Sequence, residues 1–176
     1  FDMGMVTTGI NYFTNFMTWE ADSKHTEPDA SIMITGSHNP PQYNGFKITV
    51  NKKPFFGAQI TELGEAINTQ KTVFSCPHGS VYPIAAKETY ISYLVDAFSS
   101  LRGMQTKIAI DCGNGVAGIS IIEIFKRLGL DFTAIYEIPD GTFPNHHPDP
   151  SVESNLVDLR ALIHKNACDI GFAFDG

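Results

Sequence analysis

Apolar residues along this chain recur at two spacings, and the switches between them mark out its elements. Spacing by three and four predicts a helix that buries one face, and spacing by two predicts a strand. FDMGMV at 1–6 reads as a strand, and 9–20 follow with Ile10, Phe13, Phe16 and Met17 at helical spacing. Residues 31–34 read as the end of a buried strand. Phe46, Ile48 and Val50 alternate as in a half-buried strand, with Lys47 and Thr49 on its other face. Ile60, Leu63 and Ile67 predict a helix near 57–69. Residues 71–86 hold two prolines, a glycine and no period, which reads as a linker or hinge.

Beyond that linker the alternation is regular. Ile91, Leu94, Val95 and Phe98 place a helix over 87–101, and KIAID at 107–111 a strand. CGNG leads into a helix near 116–128, which Gly129 is suited to cap. A strand over 131–138, a loop rich in Pro, Gly, Asn and His over 139–155, a helix over 156–166 and a strand over 169–174 complete the pattern. Strands alternating with helices at this spacing imply an α/β fold with mostly parallel sheets and crossover connections.

With 176 residues, 43% hydrophobic and 18% charged, the chain is long enough for a real core and ordinary for a globular α/β protein. Its net charge of −7, without a basic run, argues against nucleic acid or an anionic membrane as a partner. A small anionic substrate is compatible with that sum. No apolar run approaches the roughly 18 residues of a membrane span. Cys76, Cys112 and Cys168 are scattered, odd in number and without CxxC spacing, which points to a reducing, cytoplasmic setting and to neither disulfides nor zinc. The sequence opens in one strand-like segment and closes in another, so it is expected to be a piece of something longer.

The chemistry concentrates in Thr35-Gly36-Ser37-His38-Asn39-Pro40-Pro41. Gly36 permits unusual dihedrals or close backbone approach, and Pro40 pushes Asn39 out of the helical region. The loop is therefore stiff, with Ser37 presented outward, and Asn44-Gly45 turns the chain back. Lys47 is the first charged side chain after that turn, at the same end of the sheet as Ser37. A hydroxyl near an amine is a proton-transfer pair. On local physics alone, a capped turn beside a solvated lysine explains the same residues.

ITGSHNPPQYNGFK resembles the phosphoserine loop of the α-D-phosphohexomutases, in their bacterial phosphomannomutase/phosphoglucomutase branch. IAIDCGNGVAG, DGTFPNHHPDP with its following NL, and GFAFDG resemble the same branch in order and spacing. The resemblance covers most of the chain and implies two αβα sandwich-type units with mixed sheets. The first, incomplete, spans 1–70, and the second spans 87–176. It implies that Ser37 carries a phosphoryl group, that Lys47 is general acid/base, and that His38 joins them in catalysis. Thr35, Gly36 and Asn39 would support the loop and phosphate. Asp175 matches the first aspartate of the family's magnesium loop, so Mg²⁺ would be held by Asp175 and the Ser37 phosphate. The implied reaction interconverts hexose 1- and 6-phosphates through hexose 1,6-bisphosphate, with mannose and glucose phosphates favoured over glucosamine phosphate. Later domains of the parent chain would recognise the sugar, so the chain alone is expected to be inactive, with uncovered faces that favour self-association.

Three other signals compete. Gly113-Asn114-Gly115-Val116-Ala117-Gly118 is a literal GxGxxG between a strand and a helix, with Glu137 near the end of the next strand, as in a nicotinamide-dependent oxidoreductase. That reading leaves TGSHNP unexplained. His146, His147 and Asp149 invite a transition metal, but adjacent histidines on a proline-rich loop seldom converge on one ion, and packing at a domain edge is the better expectation. A non-enzymatic sugar-phosphate-binding relative would have lost Ser37 or Lys47. Asp111 is expected to stabilise the glycine turn, Trp19 to be core, and Cys112 to be a buried small residue.

Overall fold

The computed structural model describes residues 1–40, 42–69 and 79–176. In its first half, helix α1 (Thr8–Thr14) is capped by Thr7, whose Oγ1 accepts the Ile10 N–H at 3.3 Å. A hairpin follows, β1 (Trp19–Ala21) against β2 (Lys24–Thr26). Strands β3 (Ala30–Ile34), β4 (Phe46–Val50) and β5 (Lys53–Phe55) then form an antiparallel sheet. Helix α2 (Ala58–Asn68) closes this half.

The second half opens with α3 (Ala86–Ala97) and continues through β6 (Ile108–Asp111), α4 (Gly118–Leu128), β7 (Phe132–Ile135), α5 (Val157–Asn166) and β8 (Ile170–Ala173). Its sheet is parallel in the order β7-β6-β8, and the central β6 is buried along its whole length. Gly129 caps α4 in the left-handed region, φ +70°, as its position implied. The α/β architecture stands, with the parallel ladder in the second half and antiparallel pairing among the named strands of the first.

Four expectations need correction. The strand over 1–6 is one parallel bridge, Asp2 to Pro83, held by Asp2 N–H to the Tyr82 carbonyl at 2.8 Å and Ile84 N–H to the Asp2 carbonyl at 2.9 Å. The positive φ of Gly4 turns the chain away after it. The expected linker over 71–86 lies outside the described residues as far as 78, and its remaining part carries that bridge.

The helix expected over 9–20 stops at Thr14, because side chains take over its last carbonyls. Asn15 Nδ2 bonds back to the Asn11 carbonyl at 2.9 Å, and the Trp19 indole N–H bonds to the Thr14 carbonyl at 3.1 Å. The hairpin's faces are also reversed. Ser31, Met33 and Thr49 turn toward α1, whereas Ile34 and Phe46 are 61% and 67% exposed. A period of two groups residues by face but does not say which face meets a helix. Here α1 and its C-cap present the buried Asn11 and Asn15, and Ser31 partners one polar atom of each: Asn15 Nδ2 donates to Ser31 Oγ at 2.9 Å, and Ser31 Oγ donates to Asn11 Oδ1 at 3.1 Å, while Asn11 Nδ2 and Asn15 Oδ1 are buried without a partner. Finally, α2 exposes the apolar stripe that its spacing marked for burial.

Two apolar clusters hold the structure, and α3 belongs to both. Tyr90 packs with Val6, Ile10 and Trp19 in one, while Ile91 and Val95 join Ile108, Ile110, Cys112, Ile124 and Leu128 in the other. Phe13 of α1 meets the Tyr90 ring edge-on at 5.4 Å. Toward α4, Glu88 takes both terminal nitrogens of Arg127, at 2.6 and 2.9 Å. Helix α3 therefore sets how the two halves face each other.

Candidate functional site

The loop between β3 and β4 reaches the end of β8. Ser37 Oγ donates to Asp175 Oδ1 at 3.0 Å, and His38 Nδ1 meets Asp175 Oδ2 at 2.9 Å. One carboxylate thus holds both consecutive loop side chains, and Nδ1 carries the His38 proton because an ionised carboxylate only accepts. Ser37 sits at φ +53°, a left-handed backbone that costs free energy for a residue with a Cβ. Thr35 Oγ1 helps hold it there by accepting the Ser37 N–H at 3.0 Å.

Close backbone contacts stiffen the loop. A Cβ on Gly36 would lie 2.8 Å from the Tyr43 carbonyl oxygen, so no other residue fits that crossing. Thr35 N–H bonds to the Gly45 carbonyl at 2.9 Å, and Asn39 N–H to the Gly36 carbonyl at 3.0 Å. Asn39 contributes to this turn through its backbone.

Lys47, opposite Met33 in the β3–β4 register, lines a cleft of about 550 Å³ together with Ser37, Thr35, Asp175, Thr7, Thr8 and Ser120. A second cleft of about 490 Å³ lies on the other side of Ser37, against Asn114, Gly115, Asp140 and Gly176. Ser37 stands on the wall between them, facing Lys47 across one and the glycine turn across the other. Thr7 and Thr8 carried no signal in the sequence, because nothing local tells which helix start a distant loop will meet.

Two glycines of the turn pack closely on neighbouring backbone. A Cβ on Gly115 would stand 2.8 Å from Gly176 Cα, and one on Gly118 would run into the Glu137 carbonyl. Gly115 and Gly118 thus serve close packing of the turn against the end of β8 and the chain beyond β7. Asp111 stabilises this turn, its Oδ1 accepting the Gly113 N–H at 2.9 Å. Cys112 beside it is wholly buried, and burial, then the Asp111 and Glu137 charges, pushes its thiol up to about 12, which makes it inert.

The histidine pair divides its work. His146 Nε2 meets Asp111 Oδ2 at 2.9 Å, and its Nδ1 meets the His147 carbonyl at 2.9 Å, so neither nitrogen is left for a metal. His147 projects the other way, its ring perpendicular to that of His38 with centroids 5.7 Å apart. Asp149 Oδ1 accepts from Ser151 N–H and Oγ, and these bonds, with smaller help from His38 and His147, lower its pKa. The packing at a domain edge expected of PNHHPDP is what His146 provides. The contact between His147 and the serine loop was not foreseen.

The Asp175 carboxylate and the Ser37 hydroxyl offer only oxygens, which suits a hard divalent cation such as Mg²⁺ in kind. A phosphoryl group on Ser37 would add about 1.5 to 2 negative charges beside Asp175 and sharpen the need for a cation between them. Among the described residues no group of three or more His, Cys, Asp or Glu side chains converges to complete such a site.

Comparison with known proteins gives the same picture throughout. The model of phosphoglucomutase/phosphomannomutase alpha/beta/alpha domain I matches residues 4–73, and that of domain II matches residues 88–176. A phosphomannomutase/phosphoglucomutase of Pseudomonas aeruginosa is 38% identical over 99% of this chain and 35% of its own length. A phosphoglucomutase of Neisseria meningitidis is 39% identical over 99% of this chain and 36% of its own. The crystal structure of a phosphoglucomutase/phosphomannomutase family protein from Burkholderia thailandensis superposes with a TM-score of 0.90 at 36% identity, covering 99% of this chain and 37% of that one. The chain thus spans about a third of the length of the relatives it matches.

Proposed function

The chain belongs to the phosphoglucomutase/phosphomannomutase family, and from that premise we propose that the protein carrying it interconverts hexose 1- and 6-phosphates through a phosphoserine at Ser37. The observation that supports this most is the clasp of Ser37 and His38 on Asp175, which joins the domain I match to the domain II match at a serine with a left-handed backbone. The hexose phosphates of mannose and glucose are the proposed substrates, in keeping with the names of the relatives. A cytoplasmic setting belongs to the same reading. No helix among the described residues is long and apolar enough to cross a membrane.

The residues present can perform each proton movement. When hexose 1,6-bisphosphate lies in the cleft, Ser37 Oγ, oriented by its 3.0 Å hydrogen bond to Asp175, attacks a phosphorus atom and passes its proton to a non-bridging oxygen of that phosphate. The bond from that phosphorus to the sugar oxygen breaks, and Lys47, on the wall of the same cleft, protonates the departing oxygen. In the reverse sense Lys47 takes the proton from the sugar hydroxyl that attacks the phosphoserine. After the bisphosphate reorients, the same residues act on its other end. His38 holds Asp175, and Thr35, Gly36 and Asn39 hold the loop, so little reorganisation is needed as charge moves. Asp175 and the Ser37 phosphate would hold Mg²⁺, whose charge, when bound, neutralises the phosphoryl oxygens during transfer.

The test uses the full-length protein with magnesium and hexose 1,6-bisphosphate labelled in its phosphates. Label is expected on the peptide carrying Ser37 and is expected to vanish in Ser37→Ala. A folded protein that takes up no label would overturn the proposal. Comparing kcat/KM for glucose, mannose and glucosamine phosphates then decides the sugar, with a preference for glucosamine phosphate overturning that part alone.

A further inference from the structure

We infer that His147 is a positioning residue for the serine loop, acting through the ring of His38; this rests on the phosphoserine reading of Ser37. Among the described residues, three side-chain interactions tie the 35–40 loop to the second half of the chain. Two are the hydrogen bonds to Asp175, and the third is the perpendicular packing of the His38 and His147 rings at 5.7 Å. His38 is attached to a residue at φ +53° in a surface loop, where a free imidazole would sample several rotamers. With Asp175 at one nitrogen and the His147 ring alongside, it is confined to the rotamer that meets the carboxylate.

The base on which His147 stands is rigid. Its carbonyl accepts from His146 Nδ1 and from Asp149 N–H, both at 2.9 Å. His146 is tied to the buried Asp111. Pro148 is wholly buried, and its carbonyl accepts the Gly176 N–H at 3.1 Å, one residue beyond Asp175. The same short segment therefore fixes the strand end that carries Asp175 and the ring that braces His38. An edge-on aromatic pair has a preferred geometry but needs no particular proton. Packing, and not the imidazole chemistry of His147, is the property that matters.

This distinguishes a brace from a direct ligand of the phosphate. His147 is exposed, so its removal leaves no cavity and the fold survives. The experiment is single-turnover labelling of Ser37 in the full-length protein with magnesium and labelled hexose 1,6-bisphosphate, for the wild type, His147→Ala and His147→Phe. Circular dichroism confirms the fold of each variant. His147→Ala is expected to slow labelling about 10- to 100-fold, with the concentration of bisphosphate giving half the maximal rate changed little. His147→Phe, which keeps a ring and loses both nitrogens, is expected to recover most of the rate. Labelling by His147→Ala at the wild-type rate would overturn the inference. Slow labelling that His147→Phe fails to recover would also overturn it, by showing that a nitrogen of His147 is what the step requires. Failure of the wild type itself to take label would refute the phosphoserine reading instead, so the two failures are told apart.

Discussion

Both nitrogens of His146 face oxygens that accept: the His147 carbonyl on one side and the Asp111 carboxylate on the other. A protonated ring, donating from both nitrogens, matches these partners best, beside a carboxylate that is 1% exposed. Burial alone would lower the His146 pKa, but the His147 carbonyl and the Asp111 charge outweigh it, with a smaller contribution from Asp158, and the net shift is upward. Tyr136, whose ring packs on His146 at 5.5 Å, donates its hydroxyl to Asp158 and has its own pKa raised, so it stays neutral. A raised histidine pKa contributes stability that is complete below the unfolded value near about 6.5 and is lost as pH rises through the folded value. The urea midpoint is therefore expected to fall from pH 6 to pH 8.5, and to fall less in His146→Gln. An equal fall in both proteins would remove His146 as the cause. His146→Ala, which strands the Asp111 charge, is expected to cost about 3 to 5 kcal/mol, measured by urea unfolding at pH 6.

At the scale of elements, α3 is the piece on which the site depends without touching the chemistry. It packs Tyr90 into one core cluster and Ile91 and Val95 into the other, and so sets the distance across which Ser37 and Asp175 meet. Ile91→Ala is expected to cost about 2 to 5 kcal/mol in unfolding free energy and to lower the rate of Ser37 labelling, even though Ile91 is remote from the serine. Unchanged labelling in a destabilised Ile91→Ala protein would mean that the halves keep their arrangement by other contacts. The helix face of α3 was plain from spacing, because Ile91, Leu94 and Val95 obey one period and turn to the core, and β6, α4, α5 and β8 were legible from the regular alternation of strand-like and helical segments. The serine loop was legible because Gly36, Pro40 and Asn44-Gly45 each impose a local backbone constraint. The end of α1 was not, since Asn15 and Trp19 terminate it through side-chain bonds that carry no periodic mark. Nor was the partner of His38, because a contact between distant loops leaves nothing in the spacing of either.

For the whole molecule, the reversed hairpin face has a physical consequence. Ile32, Ile34, Phe46 and Val50 share one side of the sheet, with Ile34 directly opposite Phe46, and all four are exposed. Phe56 and, on α2, Ile60, Leu63 and Ile67 add further exposed apolar surface in the same half. Contiguous apolar surface of this kind is seldom left to water, and a flat, short-stranded sheet carrying it invites pairing with another copy. The net charge of −7 opposes close approach of two copies, but only over a distance of about 8 Å at physiological salt, too short to protect a patch that is itself uncharged. The isolated 176-residue chain is accordingly expected to associate as its concentration rises, and more readily at high salt, where repulsion is screened while apolar burial is not. Light scattering across a concentration series would show it. The double variant Ile34→Lys with Phe46→Lys places two charges at facing positions of the patch and leaves both core clusters untouched, so it is expected to scatter as a monomer with an unchanged circular dichroism spectrum. If the unmodified chain stays monomeric at every concentration and salt level tested, the exposed face is not sticky, and α2 or another part of the chain must cover it in solution.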